Sequence, residues 1–485
     1  MGKVIIYQML PRLWGNIGGK NIKNGTLKDN GCGKFSSIDT ISLEYLRSLG
    51  VSHVWYTGII RHATAEDSAG CTPSSSDWVK GRAGSPYSIT DYYDVNPYLA
   101  DEPENRMEEF HKLVERTHAA GLKVIIDFVP NHVARDYGRF AAAHPAPTGM
   151  AALGESDDKS VHWKDSNDFF YYPGIPLALP IQNQTYMEMP AMASGNSYTS
   201  SPGVNDWYDT IKLNYCDTHT ETWEKMYDIV NFWAGQGVDG FRCDMVELVP
   251  PAFFKWLISR IKKDRPDLLF VAEVYQKTLY SKYIREIDFD LLYDKSGIYD
   301  TLRAIVEKNA KDSGVPVEDW QSAKRITWNW QSLGDLQPYM LNFLENHDEQ
   351  RFASDFFGCD ARNSYAALYT ALYLNNAPFM LYAGEEVGER GMDNEGFSGR
   401  DGRTSIFDWW APSSLTRLYK YIHGEKEALA PEEETMLDTY RKALKFAAED
   451  NAVSKGTFYD LCYCNYASDG FNPDRHFAFL RAFDD

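Results

Sequence analysis

The stretch FLENHD, from Phe343 to Asp348, ends an apolar run that begins at Tyr339. Two carboxylates, an amide and an imidazole thus follow directly on residues whose pattern predicts a buried strand. Such residues either are solvated where a strand ends at the surface, or they line a site at the mouth of a barrel. The second interpretation requires that other strands of the chain end in the same way.

Three other apolar runs also end in polar clusters. The four clusters are Asp127, Asn131 and His132 on the third predicted strand, Arg242 and Asp244 on the fourth, Glu273 on the fifth, and Glu345, His347 and Asp348 on the seventh. In a parallel barrel the carboxyl ends of all strands face one site. Carboxylates gathered in one cleft repel and desolvate one another, so a purely structural role for all of them is costly.

Short apolar runs alternate with amphipathic stretches of helical period along the chain, which is typical of an α/β protein with a parallel sheet. The predicted strands number eight, as a closed (β/α)₈ TIM barrel needs. They are KVIIYQML (from Lys3), VSHVWYTG (Val51), LKVIIDFV (Leu122), GVDGFRCDMV (Gly237), LLFVAEVY (Leu268), DFDLLYD (Asp288), YMLNFLENHD (Tyr339) and APFMLYAGEE (Ala377).

Two segments interrupt or follow this pattern. Gly, Pro, Ser, Ala and Met dominate between residue 133 and about residue 205, which predicts an irregular insertion domain after strand three. FYDLCYCN and HFAFLRAF, after residue 456, alternate like antiparallel strands. We therefore predict a barrel formed by residues 1–132 and 206–450, an insertion domain at 133–205, and a partial C-terminal antiparallel β domain at 451–485.

Composition excludes several classes of protein. The chain has 485 residues, 44% of them hydrophobic, and a net charge of -20, so it can bury a large core but lacks the basic surface of nucleic-acid-binding proteins. Its seven cysteines show no paired spacing, which favours a reducing compartment. The start MGKVIIYQML predicts a strand rather than a signal peptide, and no run has the length of a transmembrane helix. We expect a cytoplasmic protein without nucleic-acid or membrane partners.

The clustered carboxylates suit cleavage of a glycosidic bond, in which one carboxylate attacks the anomeric carbon and one carboxylic acid protonates the leaving oxygen. Arg242 would keep the neighbouring Asp244 ionised, while apolar neighbours on the strand would raise the pKa of Glu273. His132 and His347 each stand beside acids at a strand end and would bind sugar hydroxyls.

DFVPNH, GFRCD, AEVY and FLENHD, in this order, resemble the four signature regions of the α-amylase family, glycoside hydrolase family 13. SPYSITDYYDVNP resembles that family's segment after strand two, and IKLN (residues 211–214) resembles its fifth region. The resemblance extends over nearly the whole chain. It implies that Asp244 is the nucleophile, Glu273 the general acid/base and Asp348 the transition-state stabiliser, with the two reacting carboxyl groups about 5 to 5.5 Å apart.

The resemblance also implies a set of residues around the reacting sugar. The substrate-binding residues would be Tyr87, Asp91, His132, Arg242 and His347, with Asp127 and Asn131 supporting the site. The neopullulanase and cyclomaltodextrinase branch has a similar fifth region but also an additional N-terminal domain, whereas the first strand predicted here begins almost at Met1, so the subfamily stays open.

The sequence departs from the family pattern at two places. Val246, Glu247 and Leu248 stand where many α-amylases have a Lys-His pair after the nucleophile. Asn131 matches one ligand of the family's interdomain calcium site, but Asn214 stands where an acidic ligand is expected. We therefore predict no metal site there, and we interpret the Gly- and Asn-rich loop at residues 15–35 as a solvated loop rather than an alternative cation site.

The predicted function is a retaining α-glucan hydrolase that cleaves α-1,4 bonds in maltooligosaccharides, starch or glycogen fragments without a cofactor, and cleavage of α-1,6 bonds stays open. An α-glucan transglycosylase would use the same catalytic residues and is the alternative enzyme. A protein that binds glucan without cleaving it is the alternative of a different class, and it would be expected to have lost at least one of the three carboxylates.

Overall fold

A computed structural model describes residues 2–67, 71–216, 218–311 and 318–484. Its centre is a closed barrel of eight parallel strands. The strands are β1 (Ile5–Met9), β2 (His53–Tyr56), β3 (Lys123–Phe128), β4 (Gly240–Cys243), β5 (Leu269–Ala272), β6 (Leu291–Tyr293), β7 (Met340–Phe343) and β8 (Phe379–Tyr382). Strands that follow one another in the chain are neighbours, and β1 closes the barrel by pairing with β8. The prediction of a (β/α)₈ TIM barrel is confirmed.

The strands are almost completely buried because helices cover the outside of the barrel. Every residue of β1, β4, β7 and β8 is buried, so these strands appear in the sequence as largely apolar runs, interrupted by Gln8, Arg242 and Asn342, rather than as alternating ones. Each strand is shorter than the run that predicts it. β6 has only three residues and is followed by a π-helical turn at Lys295–Tyr299, which interrupts the periodicity there.

Helices follow the strands around the barrel. They are α1 (Thr40–Ser48), α2 (Arg106–Ala119), α3 (Glu221–Gly235), α4 (Pro251–Asp264), α5 (Tyr280–Arg285), α6 (Asp300–Lys311), α7 (Lys324–Leu333), α8 (Ser364–Tyr373), α9 (Ser413–Ile422) and α10 (Pro431–Glu449), with single turns at Leu27–Asn30, Asn451–Ser454 and Cys462–Asn465. Their ends follow the usual signals: Asp39 caps α1 by accepting a hydrogen bond from the Ser42 N–H, and proline begins α4 and α10. No helix in the described part of the chain is long and apolar enough to cross a membrane.

Among the described residues, four small antiparallel sheets lie outside the barrel. They pair Ile60–His62 with Ile89–Val95, His132–Ala134 with Thr210–Lys212, Tyr171–Tyr172 with Ala191–Met192, and Thr457–Asp460 with Phe479–Ala482. Between residues 135 and 205, the pair at 171–172 and 191–192 supplies the strands that the structure describes, in keeping with the irregular segment predicted there. The division of the chain into domains at residues 132, 205 and 450 stays a prediction.

The C-terminal segment differs in part from the alternation in its sequence. Residues 457–460 and 479–482 form the predicted antiparallel pair. The prediction that the first strand continues through Cys464 is wrong, because Cys462–Asn465 is a helical turn. The Asp460 carboxylate accepts a hydrogen bond from the Cys462 N–H at 2.7 Å, and this local bond ends the strand and starts the turn.

Candidate active site

The polar strand ends surround a cavity of about 270 Å³ at the carboxyl-terminal mouth of the barrel. The predicted site residues that line it are Tyr87, His132, Asp244, Glu273, His347 and Asp348. Lys80, Trp207, Tyr275 and Phe407 form much of the remaining wall. The structure thus brings the ends of β4, β5 and β7 together at one site, beside the segments that precede and follow β3. We call this cavity the cleft.

Arg242 is the electrostatic centre of the cleft and is 1% exposed. It is the third residue of β4, and Asp244, two residues later, lies just past the strand end. Its Nη1 donates a hydrogen bond to Asp244 Oδ1 at 2.6 Å and lies 3.6 Å from Asp127 Oδ1. Its Nη2 lies 2.8 Å from Glu273 Oε2. One guanidinium group therefore holds two carboxyl groups of the cleft in a fixed relation, as its planar fork allows.

Glu273 has a different environment at each oxygen. Oε2 accepts a hydrogen bond from the Met245 N–H at 2.8 Å, in addition to its contact with Arg242. Met245 points its N–H there because its backbone is left-handed, with φ 44°. Oε1 accepts a hydrogen bond from the Tyr275 hydroxyl at 2.5 Å. Burial raises the pKa of Glu273 above its ordinary value, against the opposing effect of Arg242.

The other two carboxyl groups of the cleft are also shifted. Burial raises the pKa of Asp244, although Arg242 and then the adjacent Glu273 carboxyl act to lower it. Burial and the negative charge of Glu273 raise the pKa of Asp348. The raised pKa of Glu273 is the direction of shift that a general acid requires.

His347 is oriented from both sides of its ring. Gln8 Nε2, from the interior of β1, lies 2.8 Å from His347 Nδ1. His347 Nε2 lies 2.6 Å from the Tyr87 hydroxyl and 3.0 Å from Asp348 Oδ2. Burial and the charge of Arg242 hold the pKa of His347 well below its ordinary range, so the ring is neutral. The amide nitrogen of Gln8 can only donate, so Nδ1 accepts and the single ring proton sits on Nε2.

Tyr87 lies over this arrangement. Its ring stacks on His347 with 5.3 Å between ring centroids, and its hydroxyl donates to Asp127 Oδ1 at 3.2 Å. Asp127 also accepts hydrogen bonds from Trp55 Nε1 and the Gly58 N–H. Burial raises the pKa of Asp127 to about 6. Asp127 therefore fixes Tyr87 and does not itself line the cleft.

His132 is held by its neighbour in the sequence. Asn131 Nδ2 lies 3.0 Å from His132 Nδ1 and donates to the Gly195 carbonyl, while Asn131 Oδ1 accepts from Lys212 Nζ. These partners fix the orientation of the amide, so Nδ1 of the imidazole accepts and Nε2 carries the proton. Burial lowers the pKa of His132 to about 3, which keeps the ring neutral. The predicted supporting role of Asn131 has this geometry as its basis.

Comparison with known proteins identifies the family of this chain. A family model described as the catalytic domain of α-amylase matches residues 24–457. The chain belongs to the α-amylase family. It is 23% identical over 400 residues to a cyclomaltodextrin glucanotransferase of Geobacillus stearothermophilus, covering 79% of this chain and 49% of that protein. It is 24% identical over 352 residues to neopullulanase 2 of Thermoactinomyces vulgaris, covering 72% of this chain and 48% of that protein.

The chain spans about half the length of these two relatives. Among solved structures, it resembles the native form of a Nostoc punctiforme debranching enzyme with a TM-score of 0.65 at 19% identity. That match covers 99% of this chain and 85% of the other. At this identity the match is evidence for the fold alone, which is a barrel of the α-amylase type.

The position of the α-amylase family's calcium site is filled by a side chain of this protein. Lys212 Nζ contacts Asn131 Oδ1 and donates to the Leu248 carbonyl at 2.8 Å. Asn214 turns away and donates to the carbonyls of Lys164 and Asn167. A donor amine between two carbonyl oxygens excludes a cation that needs the same oxygens, so these residues do not fit calcium.

Asp91 is the one predicted substrate-binding residue that lies away from the cleft. Its Oδ2 lies 2.6 Å from His144 Nδ1, in a separate pocket beside Asp94. Asp91, Asp94 and His144 are close enough to share a metal ion. However, Arg106 Nη2 lies 3.0 Å from His144 Nε2, so that nitrogen accepts and Nδ1 carries the proton toward Asp91. Arg106 and Arg61 also pair with Asp94, which makes the group an ion-pair network rather than a ligand set.

Other polar and aromatic residues have structural partners. Glu345 pairs with Arg351 at 2.8 Å below the cleft. Trp409 and Trp410 are 1% and 5% exposed, so their rings pack in the interior instead of offering a surface to sugar. In the loop at residues 15–35, Asn30 donates to the carbonyls of Ile22 and Trp409, which occupies that amide.

The functional candidates that sequence reasoning missed are Gln8, Tyr275, Lys80 and Trp207. Gln8 carries a detectable signal, because it is the one polar side chain inside the otherwise apolar strand IIYQM. Tyr275 follows Glu273 by two residues, a spacing that places both side chains on one face of an extended segment. Lys80 and Trp207 lie in irregular segments, where periodicity gives no direction for a side chain.

Proposed function

We propose that the protein is a retaining α-glucan hydrolase that cleaves α-1,4-glucosidic bonds in maltooligosaccharides, starch or glycogen fragments by double displacement. The observation that carries this proposal is the single buried guanidinium of Arg242 that holds Asp244 and Glu273 side by side. Membership of the α-amylase family and the relatives' names support an α-glucan as the substrate. The net charge of -20 is unfavourable for a polyanionic partner such as nucleic acid.

Asp244 is the nucleophile in this proposal. Arg242 Nη1 binds Oδ1, so Oδ2 is the oxygen that attacks the anomeric carbon. The bond from that carbon to the glycosidic oxygen breaks as the oxygen takes a proton from Glu273. The products of this first step are a glycosyl ester on Asp244 and a released sugar alcohol.

The second step reverses the roles. Glu273, now ionised, takes a proton from water, and the water oxygen attacks the anomeric carbon while its bond to Asp244 breaks. Two inversions at one carbon retain the configuration. The carboxyl separation of about 5 to 5.5 Å that retaining enzymes use stays a prediction for the substrate complex.

The surrounding residues bind and orient the reacting ring. Asp348 and the proton on His347 Nε2 face the same space and would hold adjacent hydroxyl groups of the sugar, while His132 offers a second donor. Tyr87 supplies an aromatic face for stacking. No step in this chemistry needs a metal ion or another cofactor, and Lys212 supports the proposal that the fold does not need calcium.

A transglycosylase is the second candidate, because a sugar hydroxyl can replace water in the second step without any change in the catalytic residues. One relative is named as a glucanotransferase, which favours keeping this candidate. A protein that only binds glucan is less well supported, because all three carboxylates are present and share the cleft.

The test is incubation with maltoheptaose, with products followed by chromatography and by proton NMR of the anomeric signals. Asp244→Asn is the control, since it keeps the size of the side chain but removes the nucleophile. We expect shorter products that form first as α-anomers and that disappear in the control. Longer chains among the products would identify a transglycosylase. Binding of maltoheptaose without any product would exclude the hydrolase for this substrate.

A further inference from the structure

Tyr275 occupies a position with a direct bearing on the proposed general acid. The chain leaves β5 at Ala272 and continues through Glu273, Val274 and Tyr275 toward the rim of the cleft. Tyr275 is half-buried, and its hydroxyl lies 2.5 Å from Glu273 Oε1. Its hydroxyl is therefore at the very atom where a substrate oxygen would have to approach.

The two oxygens of Glu273 are not equivalent in this environment. Oε2 faces the Met245 N–H at 2.8 Å and the Arg242 guanidinium at 2.8 Å, and both of these groups can only donate. A proton on Oε2 would point at donors, so the acidic proton of Glu273 belongs on Oε1. A hydroxyl can both donate and accept, so Tyr275 can partner Oε1 in its ionised and in its protonated state.

The backbone of Tyr275 is anchored although its ring is half-exposed. The Glu247 carboxylate accepts hydrogen bonds from the N–H groups of Tyr275 at 3.2 Å and Gln276 at 2.9 Å. Glu247 lies three residues after Asp244, in the stretch where the sequence departs from many α-amylases. The segment is therefore held through its backbone, independently of the contact between the Tyr275 hydroxyl and Glu273.

We propose that Tyr275 is a positioning residue that holds Oε1 of Glu273 as the proton-delivering atom and gives way to the oxygen of the leaving sugar. This inference rests on the proposed function. When the glycosidic oxygen reaches Oε1, the proton passes to it from Oε1 as the bond to the anomeric carbon breaks and the bond to Asp244 forms. In the second step water gives its proton to Oε1, and the Tyr275 hydroxyl again partners that atom as the product leaves.

The test is Tyr275→Phe, assayed with substrates that differ in their need for a proton. Maltotriose releases a sugar alcohol that must be protonated, whereas 2,4-dinitrophenyl α-maltoside releases a stabilised phenolate that need not be. We expect kcat/KM for maltotriose to fall about tenfold or more, since general acid catalysis contributes about a hundredfold or more. The value for the dinitrophenyl substrate changes much less. The alkaline limb of the maltotriose profile moves to higher pH, because loss of a donor to the carboxylate favours its protonated form.

Tyr283→Phe is the matched control, since it removes a hydroxyl that donates to the Val246 carbonyl without touching Glu273. We expect it to leave the ratio of the two kcat/KM values unchanged. Equal losses on both substrates in Tyr275→Phe, or no loss on either, would overturn the inference while leaving the hydrolase proposal intact. A wild-type protein that cleaves neither substrate would instead contradict the proposed function itself.

Discussion

Replacement of Gln8 tests whether the proton of His347 lies on Nε2. The Gln8 side chain is completely buried in the barrel, and its Nε2 contacts both Thr57 Oγ1 at 3.1 Å and His347 Nδ1 at 2.8 Å. Gln8→Leu keeps the approximate volume and removes the donor. His347 is then free to move its single proton from Nε2 to Nδ1, which leaves a lone pair facing Asp348.

The size of the effect follows from the bond that is lost. A hydrogen bond between neutral groups contributes about 0.5 to 1.5 kcal/mol, and this is the energy that biases the position of the proton. We therefore expect kcat/KM for maltoheptaose to fall about two- to tenfold. Gln8 Oε1 is itself buried without a hydrogen-bond partner among the described residues, so its removal offsets part of any loss of stability. The melting temperature should change little.

The assay compares Gln8→Leu with Asn342→Leu. Asn342 is also a completely buried amide on a barrel strand, but it donates to Ala371 O and Asn375 Oδ1 away from the cleft. We expect Asn342→Leu to leave kcat/KM unchanged. Gln8→Glu adds a further readout, because the introduced carboxyl can donate to His347 Nδ1 only while it is protonated, so activity should fall as the pH rises. Full activity of Gln8→Leu would refute the proposed position of the proton on His347.

Three further predictions concern charge. The melting temperature of the wild-type protein should be the same in EDTA and in calcium chloride, because Lys212 occupies the oxygens that calcium would need. A melting temperature that falls in EDTA and is restored by calcium would contradict this prediction. Arg242→Lys should lower kcat/KM for maltoheptaose at least about tenfold, because one ammonium cannot contact both Asp244 and Glu273 as the guanidinium does. The charge-assisted hydrogen bond to Asp244 alone contributes about 1.5 to 3 kcal/mol. Activity should be lost at high pH as Glu273 ionises, and because burial raises the pKa of Glu273, this loss should occur above the usual carboxyl range. A profile of kcat/KM that already falls at about pH 4 to 5 would exclude Glu273 as the acid.

The barrel could be predicted from sequence because each strand is marked by its own apolar run. Apolar runs such as KVIIDF in β3 are buried on both faces, and each ends where polar residues reach the mouth. The ends of β4, β5 and β7 then share a site by topology alone, so Asp244, Glu273 and Asp348 needed no further information. The family resemblance assigned their roles.

The features that the sequence does not predict depend on contacts between residues that lie far apart in the chain. Asp91 lies beside His144 rather than in the cleft, because a side chain 53 residues later in an irregular segment supplies its partner. Lys212 carries no pattern that reveals its contact with Asn131, which is 81 residues away. Tyr275 and Gln8 each contact a candidate site residue through one hydrogen bond, and a single hydrogen bond produces no repeating pattern in the sequence.

The closure of the barrel has a consequence for biosynthesis. β1 pairs with β2 soon after both are made, but its other edge pairs only with β8, and the neighbouring bond from Lys3 to Asn375 spans 372 residues. At a synthesis rate of about 5 to 20 residues per second, that edge waits on the order of 20 to 75 s for its partner. During this time an apolar strand with unpaired backbone groups is available to other chains. The nascent protein therefore depends on whatever shields that edge until the last strand arrives.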